Sequence, residues 1–256
     1  MYFKYKNDNN MYNSNYNDVN IFLINIKNVK NVIELDISNS NMEELPDLSK
    51  FNNLEILYCC NNKKLSNIPL RSEYTFNNLN KLTKLKILKL DDNNLFRLPN
   101  LDKLINLEVL SCNNNLIKYL PDLTKCINLI ELFCNENLLL FMCKLPINIK
   151  YISCNTNLIS KFKNLNELIN LSYLDCDYNK LNNLPNLDNI RKLIFLSCKY
   201  NNLKKKQNLN NLKELILLDY SCNKLQKKIK INKKRYHCNL VYLDYSNNNI
   251  KWYNFI

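Results

Sequence analysis

Among side chains able to do chemistry, the sequence offers one histidine, eleven cysteines and 23 carboxylates, and no glycine at all. The histidine, His237, stands beside Cys238. A Cys–His pair is a conceivable nucleophile and base, and His237, Cys238 and Cys222 are residue types that ligate zinc. Adjacent residues rarely aim at each other, however, and nothing in the sequence points to a carboxylate or amide that would orient the histidine. A glycine-rich phosphate loop is impossible without glycine. The residues thus predict no catalytic group, no metal site and no cofactor.

The cysteines then need another explanation, and their spacing supplies it. Cys59, Cys112, Cys134, Cys154, Cys176 and Cys198 occupy one place in lines that recur along the chain, such as LEVLSCNNNLI from Leu107, YLDCDYNKL from Tyr173 and LVYLDYSNNNI from Leu240. The lines open at Val32, Leu54, Leu85, Leu107, Leu129, Ile149, Leu171, Leu193, Leu215 and Leu240, at spacings of 22, 31, 22, 22, 20, 22, 22, 22 and 25 residues. Each fits L-x-x-L-x-(L/C)-x-x-N-x-L. Most continue L-P-x-L-x-x-L/I, as in LPNLDKL from Leu98, which places apolar residues at repeat positions 14, 17 and 20. Self-similarity at such a period is the signature of stacked coils.

Within one coil, alternation across positions 3 to 6 predicts a short strand, and the remainder is too short and too interrupted by proline for a long helix. Extended or 3-10 return segments follow. The cysteines fall at position 6, which points into the core. Neighbouring parallel strands stand ~4.8 Å apart, so Cys112 to Cys198 form a line of thiols that suits packing rather than a tetrahedral zinc site. Position 9 holds Asn62, Asn93, Asn115, Asn137, Asn157, Asn179, Asn201, Asn223 and Asn248. An amide there can bridge its own coil and the next in a continuous ladder. Ser40 interrupts that ladder in the first line. With no glycine available, asparagine is expected at the left-handed turn positions.

This pattern resembles the leucine-rich repeat family over about residues 20 to 256, and its 22-residue period is similar to the short class found in a regulatory subunit of type-one protein phosphatase. The resemblance implies an α/β repeat solenoid: a right-handed arc with a concave parallel β-sheet and extended or 3-10 convex segments, and no active site. Residues 1–19, rich in Asn and Tyr without periodicity, read as a disordered tail. Residues 20–31 read as a half-repeat cap, with Leu23, Ile26 and Val29 matching positions 14, 17 and 20. The long step carries a surface loop from Leu70 to Asn78, and the 25-residue step a basic insertion, KKIKINKKRYHCN. At the far end Trp252, Tyr253, Phe255 and Ile256 are expected to cover the last coil.

A formal net charge of +13 suggests a nucleic-acid or anionic-membrane partner. Codons built of A and T would supply the same surplus of lysine and asparagine, as in an AT-rich viral or parasite genome. The opening MYFKYKNDNN has no apolar signal-peptide core, and the longest strongly apolar run, Leu138 to Cys143, is far short of a membrane span. The expectation is a cytoplasmic monomer, in the host cytoplasm if the protein is viral, whose cysteines are reduced thiols.

Surface recognition remains. Strand alternation turns positions 3 and 5, followed by 7 and 8, toward the concave side. There the sequence places Tyr58, Phe133, Tyr151, Tyr173, Phe195 and Tyr242 beside Asp175, Asp219 and Asp244. Across those four positions ten acids face two bases, Lys89 and Lys199, so the surplus cations lie elsewhere. This predicts a non-enzymatic interaction module whose partner is a protein or peptide, a basic one by charge. The alternative is nucleic-acid or anionic-surface binding through the Lys-rich C-terminal insertion.

Overall fold

The computed structural model describes residues 1–8, 10–13, 18–66, 77–205, 207–227 and 239–250. Two strands precede the repeats, β1 (Tyr2–Tyr5) and β2 (Tyr12–Asn13). Each repeated line then contributes one: β3 (Val32–Asp36), β4 (Ile56–Tyr58), β5 (Ile87–Lys89), β6 (Val109–Ser111), β7 (Glu131–Phe133), β8 (Tyr151–Ser153), β9 (Tyr173–Asp175), β10 (Phe195–Ser197), β11 (Leu217–Asp219) and β12 (Tyr242–Asp244). Together they form a sheet of 12 strands. From β3 to β12 every strand pairs in parallel with the next, and Glu34, Ile56, Ile87, Val109, Glu131, Tyr151, Tyr173, Phe195, Leu217 and Tyr242 stand side by side. The register read from the ten lines is the register of the sheet. We number the coils 1 to 10 after β3 to β12.

Burial explains why the motif is so strict. Position 4, from Leu35 to Leu218, is wholly inaccessible, as are the apolar residues of position 1 from Val32 to Leu215. The return segments close the core with Leu101, Leu104, Leu123, Leu187 and their equivalents. Each fully buried leucine contributes ~2 kcal/mol of transfer free energy, available only when a neighbouring coil covers it. Among the described residues the only α-helix is α1 (Val19–Ile24), and short 3-10 turns lie at Val29–Asn31, Asn77–Lys81 and Leu165–Glu167. The rest of the return path is extended or turn.

The thiols of Cys59, Cys112, Cys134, Cys154, Cys176 and Cys198 are all at 0% exposure, lining the core as a column. Cys154 and Cys176 donate their S–H to the carbonyls of Asp175 and Ser197 in the following coil, at 3.4 and 3.3 Å. Burial pushes the Cys59, Cys112 and Cys134 thiols well above their ordinary range, so they stay protonated. Beside this column runs the asparagine ladder. Asn137, for example, donates Nδ2 to the carbonyls of Cys112 in the preceding coil and of Cys134 and Asn135 in its own, at 2.9, 3.4 and 3.0 Å. Its Oδ1 accepts from the Ile117 amide at 3.0 Å. In the first coil Ser40 substitutes in part: its hydroxyl donates to Ile37 and its amide to Asn62 Oδ1.

A second asparagine column escaped the motif. The residue just before the opening leucine, Asn106, Asn128, Asn148 or Asn170, donates Nδ2 to the preceding coil's carbonyl at Thr83, Ile105, Ile127 or Ile147. The signal was legible as the recurring I-N-L/I of INLEVL, INLIEL, INIKYI and INLSYL.

The N-terminus departs from expectation. Residues 1–19 read as a disordered tail, yet β1 lies antiparallel on the free edge of β3, and β2 pairs with β1. The aromatic residues of this segment supply the reason. Tyr2 donates its hydroxyl to Glu34 at 2.8 Å, and the Phe3 ring stacks on Tyr12 and leans on Phe22. The hairpin thereby covers the edge of β3 and leaves the two-residue β2 outermost at that end of the sheet. The cap differs as well. Asp18 caps α1 through the amides of Asn20 and Ile21, and the helix buries Val19 and Phe22 together with Ile26, whereas Leu23 and Val29 are only half-buried. Most of the Leu70–Asn78 loop, the KKIKINKKRYHCN insertion from its second lysine through Cys238, and Trp252 to Ile256 lie outside the described residues.

Candidate functional site

The outward face of the sheet is built by the same alternation that fills the core. In β4, β5, β7, β9 and β11 the central residue is buried and its two neighbours are half-exposed. Position 3 therefore forms a row, one side chain per coil. Where that row is aromatic, the strand spacing brings the rings into stacking distance. Tyr151 and Tyr173 lie 4.0 Å apart at 8°, and Tyr173 and Phe195 lie 4.1 Å apart at 8°, while Phe133, at position 5 of coil 5, meets Tyr151 diagonally at 5.0 Å and 41°. Such contacts stabilise beyond simple area burial. The inner ring faces are occupied by each other.

Of the sequence-predicted residues, Phe133, Tyr151, Tyr173 and Phe195 are thus brought together, with Asp175 and Asp219 beside them. Tyr58 and Tyr242 are not. Tyr58 stands in coil 2 under the Lys89 ammonium, 5.6 Å from its ring centroid. Tyr242, 45% exposed, is separated from Phe195 by Leu217 and donates to Asp244 at 3.4 Å.

The acids prove to have local duties that the sequence did not reveal. The amide at position 7 needs an acceptor, and the chain supplies one in two ways. Where position 5 is aspartate it serves its own coil: Asp36, Asp175, Asp219 and Asp244 accept from the amides of Ser38, Asp177, Ser221 and Ser246. Where position 5 is serine, the position-7 side chain of the preceding coil does so. Asp91 accepts from Asn113 N–H and Ser111 Oγ, Asn135 from Asn155 N–H and Ser153 Oγ, and Asp177 from Lys199 N–H and Ser197 Oγ. These bonds satisfy backbone without cancelling charge. Among the described residues the ion pairs Lys64–Glu43 and Lys86–Glu55 lie off positions 3, 5, 7 and 8, and no concave carboxylate meets a cation.

Asp177 feels that most. Burial, with the charges of Asp175 and Asp219 adding to it, raises its carboxyl to about 6, against the hydrogen bonds from Ser197 and Lys199.

Position 8 holds a second surprise. Its residue is left-handed in every coil, with φ between 48° and 57°, and asparagine fills it only at Asn39, Asn61, Asn114 and Asn247. Asp92, Glu136, Thr156, Tyr178, Tyr200 and Cys222 occupy it elsewhere. The turn is imposed by the ladder, since the position-8 amide donates to the next coil, as Thr156 N–H does to Asp177 at 3.0 Å. Holding a non-glycine residue there costs ~1–2 kcal/mol. At Tyr178 and Tyr200 the strain sets two half-exposed rings 4.4 Å apart at 14°. The sequence signal for this second aromatic pair is the spacing of Tyr178 and Tyr200, one period apart.

Among the described residues no group of three or more His, Cys, Asp or Glu side chains could hold a metal ion, and no helix is long and apolar enough to cross a membrane. His237 and Cys238 lie outside the described residues.

No protein-family model and no curated protein matches the sequence. Solved structures do match in fold. A leucine-rich repeat protein of Leptospira interrogans superposes with a TM-score of 0.64 at 23% identity, over 93% of this chain and 66% of its own. YopM from Yersinia enterocolitica follows at 0.59 and 26%, over 85% and 47%. The functional domain of InlJ from Listeria monocytogenes, described as including a cysteine ladder, gives 0.58 and 22%, over 88% and 56%. The chain spans about half to two thirds of the length of these proteins. With ten parallel coils, a buried thiol column and these likenesses in hand, the chain has the leucine-rich repeat fold.

Proposed function

We propose that the protein is a non-enzymatic binding module that takes a protein or peptide partner on its concave face. The observation that carries this reading is the stack Tyr151–Tyr173–Phe195 with Phe133 tilted against its end, four large rings left half-exposed on the sheet. Rings of this kind supply most of the energy in many interfaces, because they bury large area with few rotatable bonds. Asp175, Asp219 and Asp244 border the row, with Tyr58 and Tyr242 as outlying anchors. Ten carboxylates against two bases, none of them in an ion pair among the described residues, favour a basic partner and reject an acidic one. A phosphate backbone would be repelled from this face. In this reading the protein acts as a cytoplasmic monomer, built on the short 22-residue class of repeat.

The test is capture of partners from source-cell extract with wild type and with Tyr173→Ala/Phe195→Ala. The variant loses the partner while its circular dichroism stays close to wild type and its melting temperature falls only by what the ring stacking contributed, since neither side chain enters the core. A folded variant that keeps full binding refutes the concave-face reading.

A further inference from the structure

Coils 7 and 8 present two aromatic rails rather than one. Tyr173 and Phe195 stack at position 3, and Tyr178 and Tyr200 at position 8, at 4.1 and 4.4 Å. Between the rails lie positions 5 and 7, occupied by Asp175, Asp177 and Lys199, with Asp219 following in coil 9. Lys199 is the one base in this trough, yet it does not pair with a carboxylate. Its ammonium sits over the second rail instead, 5.8 Å from the Tyr178 centroid and 5.9 Å from that of Tyr200. The rail is therefore already engaged with a cation, as ring quadrupoles favour.

A separate observation concerns Asp177. Its Oδ1 accepts from Ser197 Oγ at 2.6 Å and Lys199 N–H at 2.8 Å. Two coils earlier, Asn135 Oδ1 makes the equivalent contacts with Ser153 Oγ and Asn155 N–H, at 2.8 and 2.9 Å. The fold is served equally well by an amide, which carries no charge to desolvate beside Asp175 and Asp219. Asp91 makes the same contacts in coil 3, so what sets Asp177 apart is that its charge is kept against the repulsion of two neighbouring carboxylates, Asp175 and Asp219, where an amide suffices.

We propose that the trough between the rails seats a cationic side chain of the partner's extended segment, a guanidinium by preference, and that Lys199 is the resident cation it displaces. This rests on the concave-face reading above. Asp175 and Asp219 occupy the same position two coils apart, about 10 Å by strand spacing, on either side of Ser197. A planar guanidinium can lie on a ring while its fork meets one of these carboxylates, whereas an ammonium does only one of the two.

The probe is a labelled hepta-arginine peptide followed by fluorescence anisotropy in low salt, beside hepta-lysine. A chain of net +13 repels a polycation, so binding reports a local acidic site. Hepta-arginine should bind more tightly than hepta-lysine. Asp175→Asn/Asp219→Asn and Tyr178→Ala/Tyr200→Ala should each weaken it about tenfold, and Lys199→Gln should strengthen it about threefold. The asparagines keep the acceptors that the Asp177 and Ser221 amides need, and circular dichroism checks each fold. Absence of hepta-arginine binding, equal binding of hepta-lysine, or binding undiminished in Asp175→Asn/Asp219→Asn overturns the proposal. Should the natural partner be lost in Tyr173→Ala/Phe195→Ala while hepta-arginine never binds, the concave-face reading stands and the cationic trough alone falls.

Discussion

Replacing Asp177 by asparagine should make the protein more stable, and only at pH values where the aspartate is charged. The wild-type carboxyl is raised from 3.8 to about 6, chiefly by burial. A group whose folded pKa lies above its unfolded value contributes stability that is fully present below the unfolded pKa and lost as pH rises through the folded one. For Asp177 that contribution is present below about pH 4 and gone above about pH 6. Raising a carboxyl from 3.8 to about 6 corresponds to ~3 kcal/mol. Asp177 is only partly buried, and solvent screening reduces this to ~1–1.5 kcal/mol. The substituted amide keeps Oδ1 for Ser197 and Lys199, as Asn135 does for Ser153 and Asn155, and bears no charge at any pH.

Urea melts of both proteins at pH 4, 6 and 8 check this. Asp177→Asn should exceed wild type by about 1 kcal/mol at pH 8, by less at pH 6, and by nothing at pH 4. Taking the difference at each pH cancels the other titrating groups, which the two proteins share. A gap that does not change with pH, or a variant weaker than wild type at pH 8, refutes the electrostatic reasoning. The same substitution should weaken hepta-arginine binding, which sets stability against recognition at one residue.

Two further substitutions test other parts of the repeat. Thr156→Asn should stabilise by ~0.5–1 kcal/mol in urea melts, because a β-branched residue is held at φ 52° in a turn that Asn114 adopts at φ 48°. Cys176→Ser should cost about 1 kcal/mol, the low end for a buried polar replacement, because the new hydroxyl inherits the Ser197 carbonyl now taken by the thiol at 3.3 Å. Cys222→Ser, at a half-exposed site, should change the melt by much less.

The strand register, the thiol column and the position-9 ladder were legible in the sequence because each is a fixed position in a repeated period. Periodicity multiplies a weak local signal by the number of coils. Where a structure uses the chain only once, that amplification is missing. The β1–β2 hairpin is such a case: Tyr2, Phe3, Tyr5 and Tyr12 look like low-complexity composition until β3 offers an open edge to pair with. The left-handed turn at position 8 was hidden for the opposite reason. Its conformation is constant but its residue is not, since the inter-coil hydrogen bonds dictate φ whatever side chain is present.

The same reasoning reorders the concave face. From the sequence alone its ten acids formed one undivided field. The structure separates those that complete the backbone from those whose charge exceeds that need. At position 5, Asp175, Asp219 and Asp244 each accept an amide of their own coil, a task for which an aspartate oxygen is well placed. At position 7 the chain uses Asp91, Asn135 and Asp177 for the same contacts, so the contacts themselves do not require the charge, and at Asp177 that charge faces Asp175 and Asp219 as well. Uniform strand composition would account for aromatic residues at position 3. It does not account for a costly carboxylate in the coil where a second aromatic pair and a ring-bound lysine also occur. The coincidence of these three departures in coils 7 and 8 is what supports the proposed site over a repeat of uniform composition.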